Sequence, residues 1–321
     1  MGFWNASYWL PNGVEWDDIG GSNDPGFIFP NSFQLWYTII FGLIALVFRY
    51  CYENFIFFPL SFYLRKNNPT SRQEILDSEK KYRRMAECSS RSIYYTFSFI
   101  WGVYLVSSQP QYQDLKECWR NWPFHPVPEI VAWYYMIQGG FYLSLIFGIL
   151  FLDAPRSDFK EMLCHHIMTY MLIYISWTMN MVRVGHIVLI LHDSVDIFID
   201  LAKVLRYDNR KMALNVCFIT ILLVWTTTRV VFYPFWVLRS IWFDAPALIQ
   251  SDYSWLNIFQ KPFAPRFIMA LLSLLQLLNF FWTYILYQIL YDSIFDGVLD
   301  DVREDFDEDS KIRKNQQKKA D

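Results

Sequence analysis

Long apolar blocks constrain this chain more than any other feature. They cover roughly residues 34–58, 91–108, 129–152, 162–180, 185–205, 211–241 and 266–291. About 20 apolar residues, rising ~1.5 Å each, cross the hydrocarbon core of a bilayer as a helix. A chain in lipid must satisfy its own backbone polar groups, so runs of this length are read as helices. The expected fold class is therefore all-α, a polytopic membrane protein with about seven transmembrane helices forming one bundle. Charged residues make up only 18% of the chain, below the ~25% of soluble domains. The net charge of −3 provides no global basic field, which argues against nucleic acid as a partner.

Basic residues orient the bundle. Residues 1–33 hold no Lys or Arg, whereas the segment after the first run carries Arg65, Lys66, Arg72, Lys80, Lys81, Arg83 and Arg84. By the positive-inside rule the N-terminus is lumenal and this basic loop cytosolic. Seven crossings then leave the C-terminus in the cytosol. Arg206, Arg210 and Lys211 fall on the same inner side, while the outer loop 109–128 has only Lys116 and Arg120. The N-terminal stretch lacks a basic n-region, so no cleavable signal peptide is expected. It does carry the glycosylation sequon Asn5-Ala6-Ser7. The tail is acidic from Asp292 to Asp309 and basic from Lys311. It ends Lys318-Lys319-Ala320-Asp321, which resembles a dilysine retrieval signal for the endoplasmic reticulum. The five cysteines (Cys51, Cys88, Cys118, Cys164, Cys217) form no C-x-x-C, so neither a disulfide framework nor a zinc site is expected.

Polar residues concentrate in one otherwise apolar stretch, 156–203: RSDFKEMLCHHIMTYMLIYISWTMNMVRVGHIVLILHDSVDIFIDLAK. Four of the five histidines are here, with Asp193, Asp196 and Asp200. Such groups are costly in apolar surroundings unless partnered or functional. At about 100° per residue, His165, His166, Thr169, Ser176 and Asn180 share a helical face of roughly 100°. His192, Asp193, Asp196, Asp200 and Lys203 do the same on the next helix. The short link from Asn180 to Gly185 predicts antiparallel neighbours whose polar stripes face each other. His192 and Asp196 lie one turn apart, a spacing that lets the carboxylate fix the imidazole tautomer. His186 alone is read as a packed core histidine. Arg229, mid-span in the sixth run, calls for a partner inside the bundle, with Asp196 or Asp200 in reach.

RSDF, the His165-His166 pair, the Asn180/Arg183/Gly185 turn and HDSVD resemble the Lag motif of the ceramide synthases, members of the TRAM-Lag-CLN8 (TLC) domain family. The looser likeness covers about residues 85–292, and the interval from Leu60 to Tyr94 is too short for the complete homeobox-like segment of many relatives. The expected division is a lumenal N-terminus at 1–33, a first transmembrane helix at 34–58 and a basic cytosolic loop at 59–84. A TLC domain at 85–292, with the Lag motif at 156–203, and a cytosolic tail at 293–321 would follow. The resemblance implies N-acylation of a sphingoid base by a fatty acyl-CoA to give (dihydro)ceramide in the endoplasmic reticulum membrane. Acyl-CoA would be a co-substrate, with no cofactor and no metal. Homo- and hetero-dimers are both compatible with it.

The catalytic residues carried over are His165, His166, His192, Asp193 and Asp196. A protonated amine must lose its proton before attacking a thioester, work suited to a neutral imidazole and worth roughly 10²–10⁴-fold. One scheme makes His165 or His166 the base, with Asp193 or Asp196 orienting it and His192. The other makes one of the pair a nucleophile that forms an acyl-imidazole. Arg156, Asp158, Ser176, Asn180, Arg183, Asp200 and Arg229 complete the set as substrate-binding candidates. For Ser176 and Asn180, helix packing and turn formation compete with that role. Three rival classes have sequence signatures to meet. A di-iron hydroxylase or desaturase needs about eight boxed histidines, and this chain has five. A non-catalytic TLC protein, a lipid binder or translocon accessory, needs no His pair opposite His-Asp-x-x-Asp. A proton-coupled transporter should show inverted repeats or paired broken helices, and none is seen.

Overall fold

The apolar runs are helical. The computed structural model describes residues 5–20, 26–63, 72–153, 158–250 and 252–296, so the candidates Arg156, Lys318 and Lys319 lie outside the described residues. The chain opens with a short helix α1 (Ala6–Trp9), and α2 (Trp36–Cys51) continues through a π-wound turn (Tyr52–Phe57) into α3 (Phe58–Tyr63). Then follow α4 (Arg72–Ser107), α5 (Glu129–Phe151), α6 (Phe159–Thr178) and α7 (Val182–Tyr207). Helix α8 (Lys211–Trp225) runs on through π-wound stretches (Thr226–Leu238 and Ser240–Asp244) into α9 (Ala245–Ile249), and α10 (Ala264–Asp296) closes the bundle. The wider winding accommodates Pro234, which has no N–H for the turn below it.

Four of these helical stretches are long and apolar enough to cross a membrane on composition alone: Ser32–Ser61, Glu129–Phe151, Lys211–Ile249 and Ala264–Ile294. The other three expected runs are helical too, in α4, α6 and α7, but their polar residues take them below that mark. Seven is therefore not a count that apolarity alone supports. Leu43, Val47, Phe48, Leu223, Phe235 and Leu277 point outward from the long apolar helices. An exposed apolar girdle of this kind suits lipid and would be an aggregation surface in water.

Small residues let the first long helix sit against the bundle. A Cβ on Gly140 of α5 would lie 2.6 Å from Phe41 Cβ and 2.7 Å from the Gly42 nitrogen of α2, so the backbones themselves are in contact there. The expected boundary near residue 84 falls inside α4, which carries the basic segment and the apolar run as one rod.

One end of the bundle is sealed by loops. Phe27–Ile28 pairs antiparallel with Val127–Pro128, and the N–H of Phe263 donates to the Tyr8 carbonyl at 2.6 Å beneath a stacked Tyr8–Phe263 pair. Trp119 donates to Ser240 Oγ (2.9 Å) and Trp122 to the Met179 carbonyl (2.8 Å), plugging the loop 109–128 into the core. All five cysteines are unpaired. At the opposite end a chain of ion pairs links four helices. Arg49 of α2 binds Asp153 after α5 (2.7 Å) and Glu53 (2.7 Å), and Arg91 of α4 binds Glu87 (2.6 Å) and Asp200 of α7 (3.0 Å).

Candidate functional site

Helices α6 and α7 do not zip together along their polar stripes. Helix α7 packs chiefly on α4 and α8, and α6 on α5 and α10, so beyond their tight turn the two rods diverge. The expectation of stripe against stripe is corrected: part of each stripe borders a chamber that the neighbouring helices hold open. The chamber holds about 1430 Å³, its open mouth included, and is lined by His165 and His166 of α6 and by Asp196, Asp200 and Lys203 of α7. Arg229 and Trp282 close its inner wall, while Arg91, Asp153 and Arg206 stand with Lys203 among the lining residues. A second, almost wholly apolar cavity of about 470 Å³ lies deeper between α5, α6, α7 and α10. Leu172, Val188, Ile268, Leu272 and Leu275 line it, with Thr169 and His192 among its few polar neighbours.

The histidines are held by packing and by their own helices. The His165 and His166 rings lie 5.6 Å apart, and His165 meets the Trp282 ring edge-on at 5.2 Å. His166 lies 6.3 Å from the Tyr142 ring. Nδ1 of His165 is buried without a hydrogen-bond partner. His192 Nδ1 sits 2.8 Å from the Val188 carbonyl one turn back. A carbonyl only accepts, so the proton is on Nδ1 and Nε2 carries the basic lone pair. That Nε2 is buried and unpartnered. The expected His192–Asp196 contact is therefore corrected: the backbone, not the carboxylate, sets this tautomer.

Asp193 and Asp196 do not pair with the imidazoles, and Asp196 takes one of the two pairings the sequence offered for Arg229. Asp196 Oδ1 accepts from Arg229 Nη2 at 3.3 Å. Arg229 is only 2% exposed and also donates to the His192 carbonyl (2.8 Å) and Asn279 Oδ1 (3.1 Å), with its guanidinium 5.1 Å from the Trp225 ring. Asp193 turns away from the histidine pair toward α4 and α5. There it accepts from Ser98 Oγ (2.5 Å), Gln138 Nε2 (2.7 Å) and, at 3.4 Å, Tyr142 OH. Neither Asp193 nor Asp196 orients an imidazole directly, which corrects the expectation that one of them would. Asp193 reaches His166 only through the Tyr142 ring beside it. Asp200 accepts both arms of Arg91 at 3.0 Å and has Lys203 Nζ at 3.9 Å.

Three further candidates are occupied with building the far end. Ser176 Oγ lies 2.9 Å from Tyr135 OH. Asn180 adopts φ 52°, and its side chain donates to the Pro123 (2.5 Å) and His125 (2.8 Å) carbonyls. Arg183 donates to the Glu117 carbonyl at 2.6 Å. Asn180 and Arg183 are absent from the chamber wall, and Ser176 borders only the deeper cavity. Asp158 is buried where α6 begins, its carbonyl accepting from the Met162 N–H at 2.9 Å, and it does not line the chamber. Asn5 caps α1, its Oδ1 accepting from the Ser7 N–H at 3.0 Å. Among the described residues no three His, Cys, Asp or Glu side chains converge as a metal-binding set.

Sequence reasoning passed over Arg91, Ser98, Gln138, Tyr142, Asn279 and Trp282. Gln138 and Asn279 carried a usable signal, an amide inside an apolar run, the same logic that picked out Arg229. Tyr142 and Trp282 carried none in a chain that is 20% aromatic.

Fold and chamber together define a polytopic helical membrane protein whose ionisable groups are enclosed within the bundle. A family model described as the TLC domain matches residues 84–288. The chain is 56% identical to ceramide synthase hyl-2 of Caenorhabditis elegans over 90% of its length and 88% of the relative's. It is 38% identical to ceramide synthase hyl-1 of the same organism, over 88% and 78%. To ceramide synthase 5 of Mus musculus it is 28% identical, over 89% and 77%. The chain belongs to the TLC domain family, among its ceramide synthases.

Proposed function

We propose that this protein transfers a fatty acyl group from acyl-CoA to the amine of a sphingoid base, forming (dihydro)ceramide. The observation that carries the reading is the placement of His165 and His166 on a chamber with a charged lining, backed by an apolar cavity that reaches His192. A thioester lies between a polar coenzyme and an oily tail; the chamber sets its charged groups beside an apolar wall that includes Phe218, Ile285 and Ile289, and the second cavity is apolar almost throughout. Arg91, Lys203 and Arg206 suit the phosphates of coenzyme A, and the apolar recess suits acyl carbons. His165 or His166 accepts the amine proton, or one of them carries the acyl group as an acyl-imidazole before the amine resolves it. Asp196 and Arg229 form a fixed ion pair at the reacting centre, Asp200 anchors Arg91, and Asp193 acts at one remove through Tyr142. Seven crossings with a lumenal N-terminus and cytosolic tail, residence in the endoplasmic reticulum, a glycan on Asn5 and retrieval by Lys318 and Lys319 belong to the same proposal. The domain division given above, residues 1–33, 34–58, 59–84, 85–292 and 293–321, does too.

The test is acylation of sphinganine by purified protein across a panel of acyl-CoA chain lengths. His165→Ala and His166→Ala should each lower turnover at least ~10²-fold while thermal unfolding stays that of the parent. Full activity in both variants would contradict the catalytic reading and favour a non-catalytic lipid-binding role. Acid quench with acyl-CoA alone separates the two schemes, since only the nucleophilic one leaves an acylated histidine on the chain.

A further inference from the structure

Acyl transfer needs more than a base. When the nucleophile adds to the thioester carbon, the C=O π pair moves onto oxygen, and the oxyanion must be stabilised until the C–S bond breaks. The coenzyme then leaves as thiolate, and the amine proton passes to an imidazole. Neither the base scheme nor the acyl-imidazole scheme assigns a donor to that oxygen, because the histidine acting as base or nucleophile is engaged through its lone pair.

The chamber wall has donors with nothing to bind. Trp282 is 7% exposed, and its Nε1–H is buried without an acceptor. An indole nitrogen can only donate, and leaving a buried donor unmet is unfavourable. Other buried or half-buried tryptophans of the bundle are not left that way. Trp119 donates to Ser240, Trp122 to Met179, Trp177 to Asn31 and Trp225 to Thr283. Trp282 departs from them, and its ring is the one against His165, at 5.2 Å and 87°. Arg229, 2% exposed, likewise satisfies both Nη atoms and leaves Nε–H without an acceptor. Asn279 stands one turn before Trp282 on α10 and accepts from Arg229 at 3.1 Å, so the two donors share one region of the wall.

We propose that Trp282 Nε1–H, with Arg229 Nε–H beside it, forms the oxyanion site of the acyl transfer, receiving the thioester carbonyl oxygen next to His165. The assignment rests on the acyltransferase reading above. It makes Trp282 a catalytic residue recognised by its N–H, not by its ring.

The experiment uses the full chain in lipid nanodiscs with palmitoyl-CoA and sphinganine. Trp282→Phe removes the N–H and part of the ring, whereas benzothienylalanine at position 282 replaces N–H by sulfur and keeps the shape. Both should lower kcat by about 10²-fold, the usual effect of losing one oxyanion donor. The KM for acyl-CoA should stay within about threefold, since a donor that acts only on the transition state leaves ground-state binding alone. A benzothienylalanine variant at parental kcat would overturn the proposal, whatever Trp282→Phe does, because packing alone would then explain the residue. Failure of the unsubstituted protein to acylate sphinganine would instead overturn the reading on which the proposal rests.

Discussion

At the residue scale, Arg229 decides how the site is wired. A single guanidinium in an apolar span draws together the His192 carbonyl, Asp196 and Asn279 from two other helices. Removing one partner of a buried ion pair leaves the other uncompensated, at a typical ~3–5 kcal/mol, whereas replacing both with apolar groups is often close to neutral. Arg229→Met should therefore lower the thermal unfolding temperature markedly and abolish turnover. The double variant Arg229→Met/Asp196→Leu should regain most of the stability and none of the activity. Unfolding followed by tryptophan fluorescence in detergent reads the first effect and the sphinganine assay the second. A double variant no more stable than Arg229→Met would mean that the pair is not what Arg229 contributes. The sequence had marked Arg229 as needing a partner and offered two. Only the rotation of α7 against the π-wound helix selects Asp196.

At the element scale, helix crossings depend on where side chains stop. Gly140 lets α2 touch α5 backbone to backbone, and a Cβ at Gly185 would run into the Tyr135 hydroxyl where α7 starts. Overpacking of this kind costs typically 1–3 kcal/mol. Gly140→Ala should loosen α2, raising hydrogen exchange along Trp36–Cys51 while leaving α6 and α7 protected. Gly185→Ala should disturb the α6–α7 turn and so lower activity as well as stability. Exchange measured by mass spectrometry in nanodiscs distinguishes the two outcomes. Uniform loosening in both variants would contradict this division of labour. Which glycines matter was not legible from spacing, because a helix pattern reports the face a residue occupies and not how near the next helix comes. The divergence of α6 from α7 was illegible for the same reason: a short link predicts neighbours, and the helices packed behind each rod set how far apart they stand.

Across the whole molecule, the 109–128 loop is locked to the α6–α7 turn by Asn180, which donates to the carbonyls of Pro123 and of the buried His125. His125 Nε2 lies 2.5 Å from the Arg120 carbonyl, so this nitrogen bears the proton, and Nδ1 is buried without a partner. Burial first, and the Arg183 cation second, push the His125 imidazole down to about 4 from its usual 6.5. The folded loop thus keeps His125 neutral while the released loop binds a proton below about 6.5, so the docked state loses stability as pH falls from about 6.5 to about 4. The full shift corresponds to about 3 kcal/mol at ~1.4 kcal/mol per pKa unit. Hydrogen exchange of residues 109–128 should accelerate between pH 7 and pH 5 beyond the intrinsic trend, and His125→Gln should remove that acceleration. An unchanged acid response in His125→Gln would assign it to another group.

The amino-acid sequence by itself determined the helical membrane class, the polar stretch that holds the reacting groups and the family to which they belong. The first two follow from apolar length and residue spacing, which are properties of one helix at a time, and the family from the resemblance of that stretch to the Lag motif. Only the tertiary structure decided that His192 takes its tautomer from Val188, that Asp196 serves Arg229 and that Asp193 faces Ser98 and Gln138. Those pairings depend on the relative rotation and separation of several helices. Neighbouring positions on one helix point in directions about 100° apart, so His192 and Asp193 can answer to different partners although nothing stands between them in the chain.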